Sequence, residues 1–239
     1  MKIISYLLAF ANGFLFGFAA AIFFNVFGPE EEYMSTPKYS NTLQQTISPP
    51  EMLPLAWEKI PARKKWSEYL FVQIEKNIDT FDKANDIEYF CPNYKTLKQY
   101  EKINVWGQLI AGMAYYESGF NPAARYLEPM SEYDPVTGNA IVSEGLLQLG
   151  YSDVMYHGCN FNWNVDSQLD PSDPQKTILD PYRNLSCGII ILSKQIQKYG
   201  NILIDKRAYW AVIKTGHRNN KAPQIRKLIS NYSMCGVYE

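Results

Sequence analysis

The sequence predicts a mainly α-helical domain with minimal β structure, which follows an apolar N-terminal segment and a linker. After residue 55, apolar residues recur at three- and four-residue steps in several segments, as they do along one face of a helix. The interval from Pro122 to Asp180 is mostly turn-forming, and no strand alternation is obvious in it. We therefore expect several helices and one or two short strands at about 125–145.

Residues 1–28 are predicted to form a transmembrane anchor or a signal segment. No charged residue occurs from Ile3 to Phe27, and roughly 20 apolar residues suffice to cross a bilayer. Lys2 precedes this run and acidic residues follow it, so we expect the rest of the chain to be exported and anchored to the membrane by residues 3–27. A cleaved signal peptide is the alternative, although its apolar region usually has only about 7–15 residues.

The next segment, residues 29–54, is rich in Pro, Ser, Thr and Glu, a composition typical of a flexible linker. The folded domain is then expected to occupy residues 55–239. An apolar fraction of 46% allows this domain a sizeable core.

Periodicity predicts three long helices in the domain. Their apolar stripes comprise Trp66, Leu70, Ile74 and Ile78 in the first, Ile103, Trp106, Ile110 and Met113 in the second, and Leu185, Ile189, Leu192 and Ile196 in the third. The third helix should begin with Asp180 as its N-cap and Pro181 at the first helical position, and should stop near Gly200. Residues 206–216 and 222–232 are further helix candidates.

Charge and histidine content argue against several classes of protein. The chain has 23 basic and 24 acidic residues, a balance that does not favour a nucleic-acid binder. Its two histidines, His157 and His217, are far apart, so neither a zinc site nor a Ser-His-Asp triad is supported. No metal or other cofactor is suggested.

Four cysteines follow the apolar segment, and an even number in an exported chain suggests disulfides. None has the spacing of a CxxC motif. Of the three possible pairings, we prefer Cys159–Cys187, which would staple a loop to a helix, together with Cys91–Cys235, which would tie the C-terminal tail to the start of the domain.

Glu117 extends the apolar stripe of the second helix by one step beyond Met113. It is also near the end of that helix, which Pro122 is expected to break. Desolvation and the negative end of the helix dipole both favour the neutral carboxyl and so raise its pKa. A protonated carboxyl near neutral pH is suited to general acid catalysis. The alternative is a structural glutamate that caps the helix or pairs with Arg125 or Lys102.

Four motifs in order surround this glutamate. They are Glu117-Ser118-x-Phe120-Asn121-Pro122, then Gly145-Leu146-x-Gln148, then Asn184-x-x-x-Gly188, and last Tyr209 in the segment "AYWAV". Over about residues 100–215, this pattern resembles the SLT-type lytic transglycosylases of the lysozyme-like superfamily, which are related to goose-type lysozyme. Trp210 and Val212 depart from the A-Y-N-A-G pattern of the last motif.

The resemblance implies a lysozyme-like α+β fold with minimal β structure and peptidoglycan glycan strands as the substrate. It also implies that the exported domain works in the periplasm, at the inner membrane. It implies that Glu117 is the catalytic residue and that Asn184 and Gly188 are structural. The implied substrate-binding residues are Ser118, Gly145, Leu146, Gln148 and Tyr209, with Tyr209 bonded to the catalytic carboxyl or to the N-acetyl group. One glutamate would cleave the β-1,4 bond between N-acetylmuramic acid and N-acetylglucosamine without water and leave a 1,6-anhydro end.

Two alternative functions stay open. A muramidase would hydrolyse the same bond with a second acid, for which Glu144, Asp153 and Asp134 are candidates. An inactive lysozyme-like module would bind glycan or act as a scaffold, although such a module has little reason to keep an acid on a buried stripe. The segment "TGHRNNK", with His217 and Arg218, is either a groove edge that meets anionic peptide stems or a solvated loop.

Overall fold

The structure, a computed structural model, describes residues 52–129 and 133–236. The α-helices are α1 (Lys64–Phe81), α2 (Ile87–Phe90), α3 (Gln99–Ser118), α4 (Ser152–His157), α5 (Trp163–Asp166), α6 (Pro181–Tyr199) and α7 (Ala222–Ile229), and the strands are β1 (Arg125–Leu127) and β2 (Val142–Glu144). The predicted anchor and nearly all of the predicted linker lie outside the described residues. Within the described part of the chain, no helix is both long and apolar enough to cross a membrane.

Helix α3 runs through the centre of the domain. Every residue from Ile103 to Ala114 is buried. The sequence predicted only one buried face of this helix, whereas the helix is buried on all sides over these residues. A helix that is buried on all sides needs small or apolar residues all round, and here the sequence supplies them. One of them is Gly112, where a Cβ atom would lie 3.0 Å from a methyl group of Ile225 in α7. The absence of a side chain therefore lets α7 pack directly on α3.

The first and third predicted helices are confirmed as α1 and α6, which pack against each other. In α6 the Asp180 side chain accepts a hydrogen bond from the Arg183 backbone N at 2.8 Å, and Pro181 occupies the first helical position. Gly200 ends the helix in the left-handed conformation. The terminal signals of this helix were therefore predictable from its sequence.

The β structure is one antiparallel pair, in which β1 pairs with β2 and Arg125 lies opposite Glu144. Both strands fall within the predicted interval at about 125–145. A mostly helical domain with one two-stranded sheet agrees with the expected lysozyme-like α+β class.

Residues 206–216 do not form the helix that their pattern suggested. Only one 3₁₀ turn, Ala211–Ile213, occurs there, and Trp210 before it has extended backbone angles. The segment is fixed by tertiary contacts instead, since Lys214 forms a parallel bridge with Ile204 and the Trp210 indole donates to the Leu147 carbonyl at 2.8 Å. These contacts outweigh the weak helical preference of a short segment.

Both preferred cysteine pairs are present as disulfides, Cys91–Cys235 and Cys159–Cys187. At the start of the described chain, Leu53 is held by both its backbone N and O to the Asn104 side chain of α3. The packed domain therefore begins slightly before residue 55.

Candidate active site

A cavity of about 540 Å³ opens between the end of α3, the β1–β2 hairpin and the segment after Ile204. Its wall includes Glu117, Glu128, Gln148, Tyr209, Lys214 and Arg218. A second cavity of about 570 Å³ beside Trp57 and Phe120 is more apolar and has no carboxylate in its wall. Because the glycosidic-bond cleavage implied by the resemblance needs an acid, the cavity that contains Glu117 is the candidate active-site cleft.

The end of α3 places Glu117 in the cleft wall. The helix stops at Ser118, because Gly119 adopts the left-handed conformation with φ of 62° and supplies the C-terminal cap. Phe120 also has a positive φ, of 64°. The helix thus ends before Pro122, which corrects the expected stop, and Glu117 lies in its last turn.

Glu117 has the electrostatic properties of a general acid. Burial, and to a smaller extent the negative charge of Glu128, raise the pKa of its carboxyl from 4.5 to about 7. Its Oε1 atom is buried and accepts no hydrogen bond from any described residue. A carboxyl without a protein partner keeps its proton available to a substrate oxygen. The alternative pairing with Arg125 or Lys102 does not occur, since these cations pair with Glu144 and Asp82.

The turn after β2 is built around Asn184 of α6. The Asn184 side chain accepts from the Leu147 backbone N at 2.8 Å and donates to the carbonyl oxygens of Glu144 and Ile178, each at 3.1 Å. This fully buried amide therefore fixes both ends of the turn, in the structural role that the resemblance implied.

Gln148 completes the turn at the cleft. Its backbone has a positive φ of 49°, and its side-chain amide donates to the carbonyl oxygens of Ala124 and Gly145. The bond to Ala124 holds the start of the hairpin to the turn, and the bond to Gly145 closes the turn on itself. No described residue donates a hydrogen bond to the side-chain oxygen of Gln148. Because Gln148 also lines the cleft, it combines a structural role with a position in the cleft wall.

Two predicted substrate contacts are corrected by their burial. The Leu146 side chain has no exposed surface, and Gly145 is also buried. Gly145 has a φ of 82°, and its N–H donates to the Ala124 carbonyl at 2.9 Å. Neither residue lines the cleft, so both shape the turn from behind it.

Tyr209 lines the cleft, but its hydroxyl does not bond to Glu117. It donates to Asp153 Oδ2 at 2.6 Å, and Asp153 also accepts from the Gly150 backbone N at 2.9 Å. Burial raises the pKa of Tyr209 well above its usual value, so the phenol stays neutral. Tyr209 is therefore a fixed neutral side chain in the cleft wall. Of its two expected partners, the catalytic carboxyl is not bonded, and a contact with the N-acetyl group of a substrate stays a prediction.

Two further predicted residues are occupied in packing. The Ser118 hydroxyl donates to the Ala114 carbonyl within α3 at 2.9 Å. At Gly188, a Cβ atom would lie 2.3 Å from Leu147 Cδ1, so the glycine lets α6 pass directly beneath the turn. Ser118 thus has no direct bond to the acid, and Gly188 is structural as expected.

The three acids considered as second catalytic groups are all held by structural contacts. Glu144 is buried and pairs with Lys176 at 2.6 Å and Arg125 at 2.7 Å. Asp134 is buried and accepts from backbone N–H groups, including that of Ser152 at 2.7 Å. Asp153 binds Tyr209 as described. None of the three lines the cleft.

Glu128 is the second acid of the cleft, and the motif pattern missed it. It follows β1, and the Ser143 hydroxyl donates to its Oε1 at 2.7 Å. The only sequence signal was its place as the first acid after Glu117, within the interval predicted to contain short strands.

The segment "TGHRNNK" also reaches the cleft. Lys214, His217 and Arg218 line its wall, so the groove-edge interpretation describes the position of this segment better than a solvated loop does.

We expect Gly145→Ala to destabilise the domain by about 3 kcal/mol, because a Cβ atom there would combine left-handed strain with overpacking. It would lie 2.3 Å from Asn184 Nδ2 and 3.0 Å from the Ile178 carbonyl oxygen. Gly158 is a matched control, since its φ is 77° and nothing lies within 4 Å of its Cβ position. Urea unfolding should show a cost of only about 1 kcal/mol for Gly158→Ala. Equal costs for the two variants would contradict the role assigned to Asn184.

A helical domain with a largely buried acid at the end of its central helix is the arrangement expected of the lysozyme-like class. The family model described as the transglycosylase SLT domain matches residues 96–227, more than half of the chain, and the chain belongs to this family. Family membership indicates a transglycosylase that acts on peptidoglycan.

Solved structures of the protein DslA have the same fold. Its wild-type form 2 is 27% identical, with a TM-score of 0.62, and the match covers 77% of this chain and 98% of DslA. A glutamate-to-glutamine variant of DslA is 28% identical with the same TM-score, over 78% of this chain and all of that one. No curated protein sequence matches the chain significantly.

Proposed function

We propose that this protein is a lytic transglycosylase that cleaves the β-1,4 bond between N-acetylmuramic acid and N-acetylglucosamine without water. The observation that carries the proposal is Glu117, a carboxyl in the cleft wall with a pKa of about 7 and a buried oxygen that no described residue bonds. Such a group is half protonated at neutral pH and can serve first as an acid and then as a base.

In the first step, the Glu117 proton passes to the glycosidic oxygen as the bond from that oxygen to C1 of the muramoyl unit breaks. The N-acetylglucosamine side leaves as an alcohol, and positive charge develops at C1. In the second step, the Glu117 carboxylate takes the proton of the C6 hydroxyl, whose oxygen attacks C1. The sugar gains a 1,6-anhydro ring and Glu117 regains its proton, so no water is consumed.

Hydrolysis by a muramidase is the second candidate, and Glu128 is the observation that favours it. An inverting hydrolase needs a second carboxylate to activate water, and Glu128 lies in the same cleft as Glu117. Two DslA structures carry glutamate-to-glutamine changes at positions eleven residues apart, and Glu117 and Glu128 have the same separation. The Ser143 hydroxyl donates a hydrogen bond to Glu128 Oε1 at 2.7 Å and so holds this carboxyl in place in the cleft wall.

Glu128→Gln separates the two reactions. For a lytic transglycosylase, we expect cleavage to fall by less than about tenfold, since Glu128 takes no proton in that reaction. Removal of its charge should also lower the pKa of Glu117 and move the alkaline limb of the rate profile to lower pH. Product masses after digestion of peptidoglycan in ¹⁸O water give the second readout. Anhydro ends without ¹⁸O support transglycosylation, whereas reducing ends with one ¹⁸O and an inactive Glu128→Gln variant establish hydrolysis.

We also propose that the domain works in the periplasm, held at the inner membrane by residues 3–27. The uncharged run and the residues that flank it support this orientation. The two disulfides are consistent with an oxidising compartment. Protease accessibility of the domain in spheroplasts, compared with intact cells, tests the placement, and protection in spheroplasts would contradict it.

A further inference from the structure

The acids and the cations of the cleft wall come from different segments of the chain. Glu117 and Glu128 belong to α3 and the hairpin, whereas Lys214 and Arg218 belong to the segment after the Ala211–Ile213 turn, which we call the basic side. Neither cation forms a salt bridge with a carboxylate of the described residues. The two positive charges therefore face the cavity without an acidic partner from the described part of the domain.

Hydrogen bonds hold the loop of the basic side in a defined backbone conformation. The Lys214 carbonyl accepts a hydrogen bond from the Asn220 side chain at 2.8 Å. The next residue, Thr215, donates its backbone N–H to the Ile204 carbonyl at 2.8 Å. At the far end of the loop, the Lys221 N–H donates to the Val212 carbonyl at 2.8 Å. Since these bonds fix the backbone, binding requires the two side chains to be ordered but not the loop that carries them.

His217 lies in the same loop, and its Nδ1 atom accepts a hydrogen bond from the Asn219 backbone N at 3.1 Å. One face of its ring is therefore used to hold the loop together. Lys214 and Arg218 are the two basic side chains that the loop adds to the cleft wall.

We propose that Lys214 and Arg218 bind a carboxylate of the substrate and make the cleft selective for anionic glycan strands. Muramic acid carries a lactyl carboxyl group that is either free or joined to a peptide stem with carboxylates of its own. Guanidinium and ammonium groups bind carboxylates through charge-assisted hydrogen bonds. This inference rests on the proposed function, because it names the part of the peptidoglycan strand that the same cleft recognises.

The selectivity can be tested by binding, without cleavage. The full-length chain with Glu117→Gln is titrated calorimetrically with three soluble ligands: peptide-bearing glycan, glycan stripped of its stems, and an N-acetylglucosamine oligomer without carboxylates. Adding Lys214→Gln and Arg218→Gln together should raise the Kd for a carboxylate-bearing glycan by about tenfold or more. The Kd for the neutral oligomer should not change. Lys65→Gln, at an exposed position on α1, is the matched charge control and should change neither.

Each outcome decides the proposal. A loss limited to peptide-bearing glycan identifies the stem as the source of the carboxylate, and a loss with stripped glycan as well identifies the lactyl group. An unchanged Kd for both anionic glycans, or an equal loss for the neutral oligomer, overturns the proposal. Product analysis of the wild-type protein tests the proposed function independently of this binding experiment. If the wild type does not cleave peptidoglycan but the charge effect persists, the proposed function fails while the carboxylate site stands.

Discussion

Glu117→Gln should reduce cleavage of peptidoglycan by at least about a thousandfold while the domain stays folded, since both proton transfers would be lost. The glutamine has nearly the same size and shape but cannot donate or accept the proton. Release of soluble fragments from purified peptidoglycan, measured by mass spectrometry, checks this. Glu68→Gln, at an exposed position on α1, is the matched control and should leave the rate unchanged. Activity within tenfold of wild type in Glu117→Gln would refute the assignment of the acid.

The pH dependence follows from the same group. The first step needs protonated Glu117, so the wild-type rate should fall as pH rises through its pKa of about 7. An alkaline limb near the ordinary carboxyl value of 4.5 would show that the cleft does not hold the proton as the structure indicates.

Stability should depend on pH in the same direction. The folded state keeps the Glu117 proton between pH 4.5 and about 7, where the unfolded chain has lost it. The contribution of this group to stability is therefore greatest below pH 4.5 and is lost as pH rises through about 7. At pH 8, Glu117→Gln should unfold with a free energy roughly 3 kcal/mol higher than wild type, because the variant has no charge to desolvate. Equal stability at pH 8 would argue that the carboxylate is well solvated.

The sequence predicted the helical class, α1, α6 and the position of Glu117 because these depend on local signals. Asp180, Pro181 and Gly200 mark helix ends through chemistry that acts within one turn. Glu117 was identified because it continues the apolar stripe of the second predicted helix by one step. That single stripe did not predict the burial of α3 on all sides.

Contacts across long sequence separations were not predictable in the same way. The bond from Tyr209 to Asp153 and the Ser143–Glu128 pair join segments whose approach depends on the whole fold. The departure from the family pattern at Trp210 is explained by one such contact. Its indole donates to the Leu147 carbonyl and supports the turn that Asn184 also holds, a role that no periodicity indicates.

Removal of the Cys91–Cys235 disulfide should lower the free energy of unfolding by about 5 kcal/mol, since the loop that it closes is long. The two cysteines are 144 residues apart, and cross-links over longer loops restrict the unfolded chain more strongly. The Cys159–Cys187 pair spans only 28 residues, so its removal should cost about 3.5 kcal/mol. Urea unfolding of Cys91→Ala/Cys235→Ala and Cys159→Ala/Cys187→Ala, at one pH, measures both losses.

The two double variants are well matched, because all four cysteines are buried and each pair loses the same atoms. A reversed order would show that native-state packing, rather than the unfolded chain, dominates the effect.

The two double variants should also differ in their effect on glycan binding. Cys235 follows α7, whose Ile225 packs against Gly112 of the central helix, so its release frees the element next to the basic loop. We therefore expect the Cys91→Ala/Cys235→Ala variant to lose affinity for anionic glycan as well as stability, and the other pair to affect mainly stability.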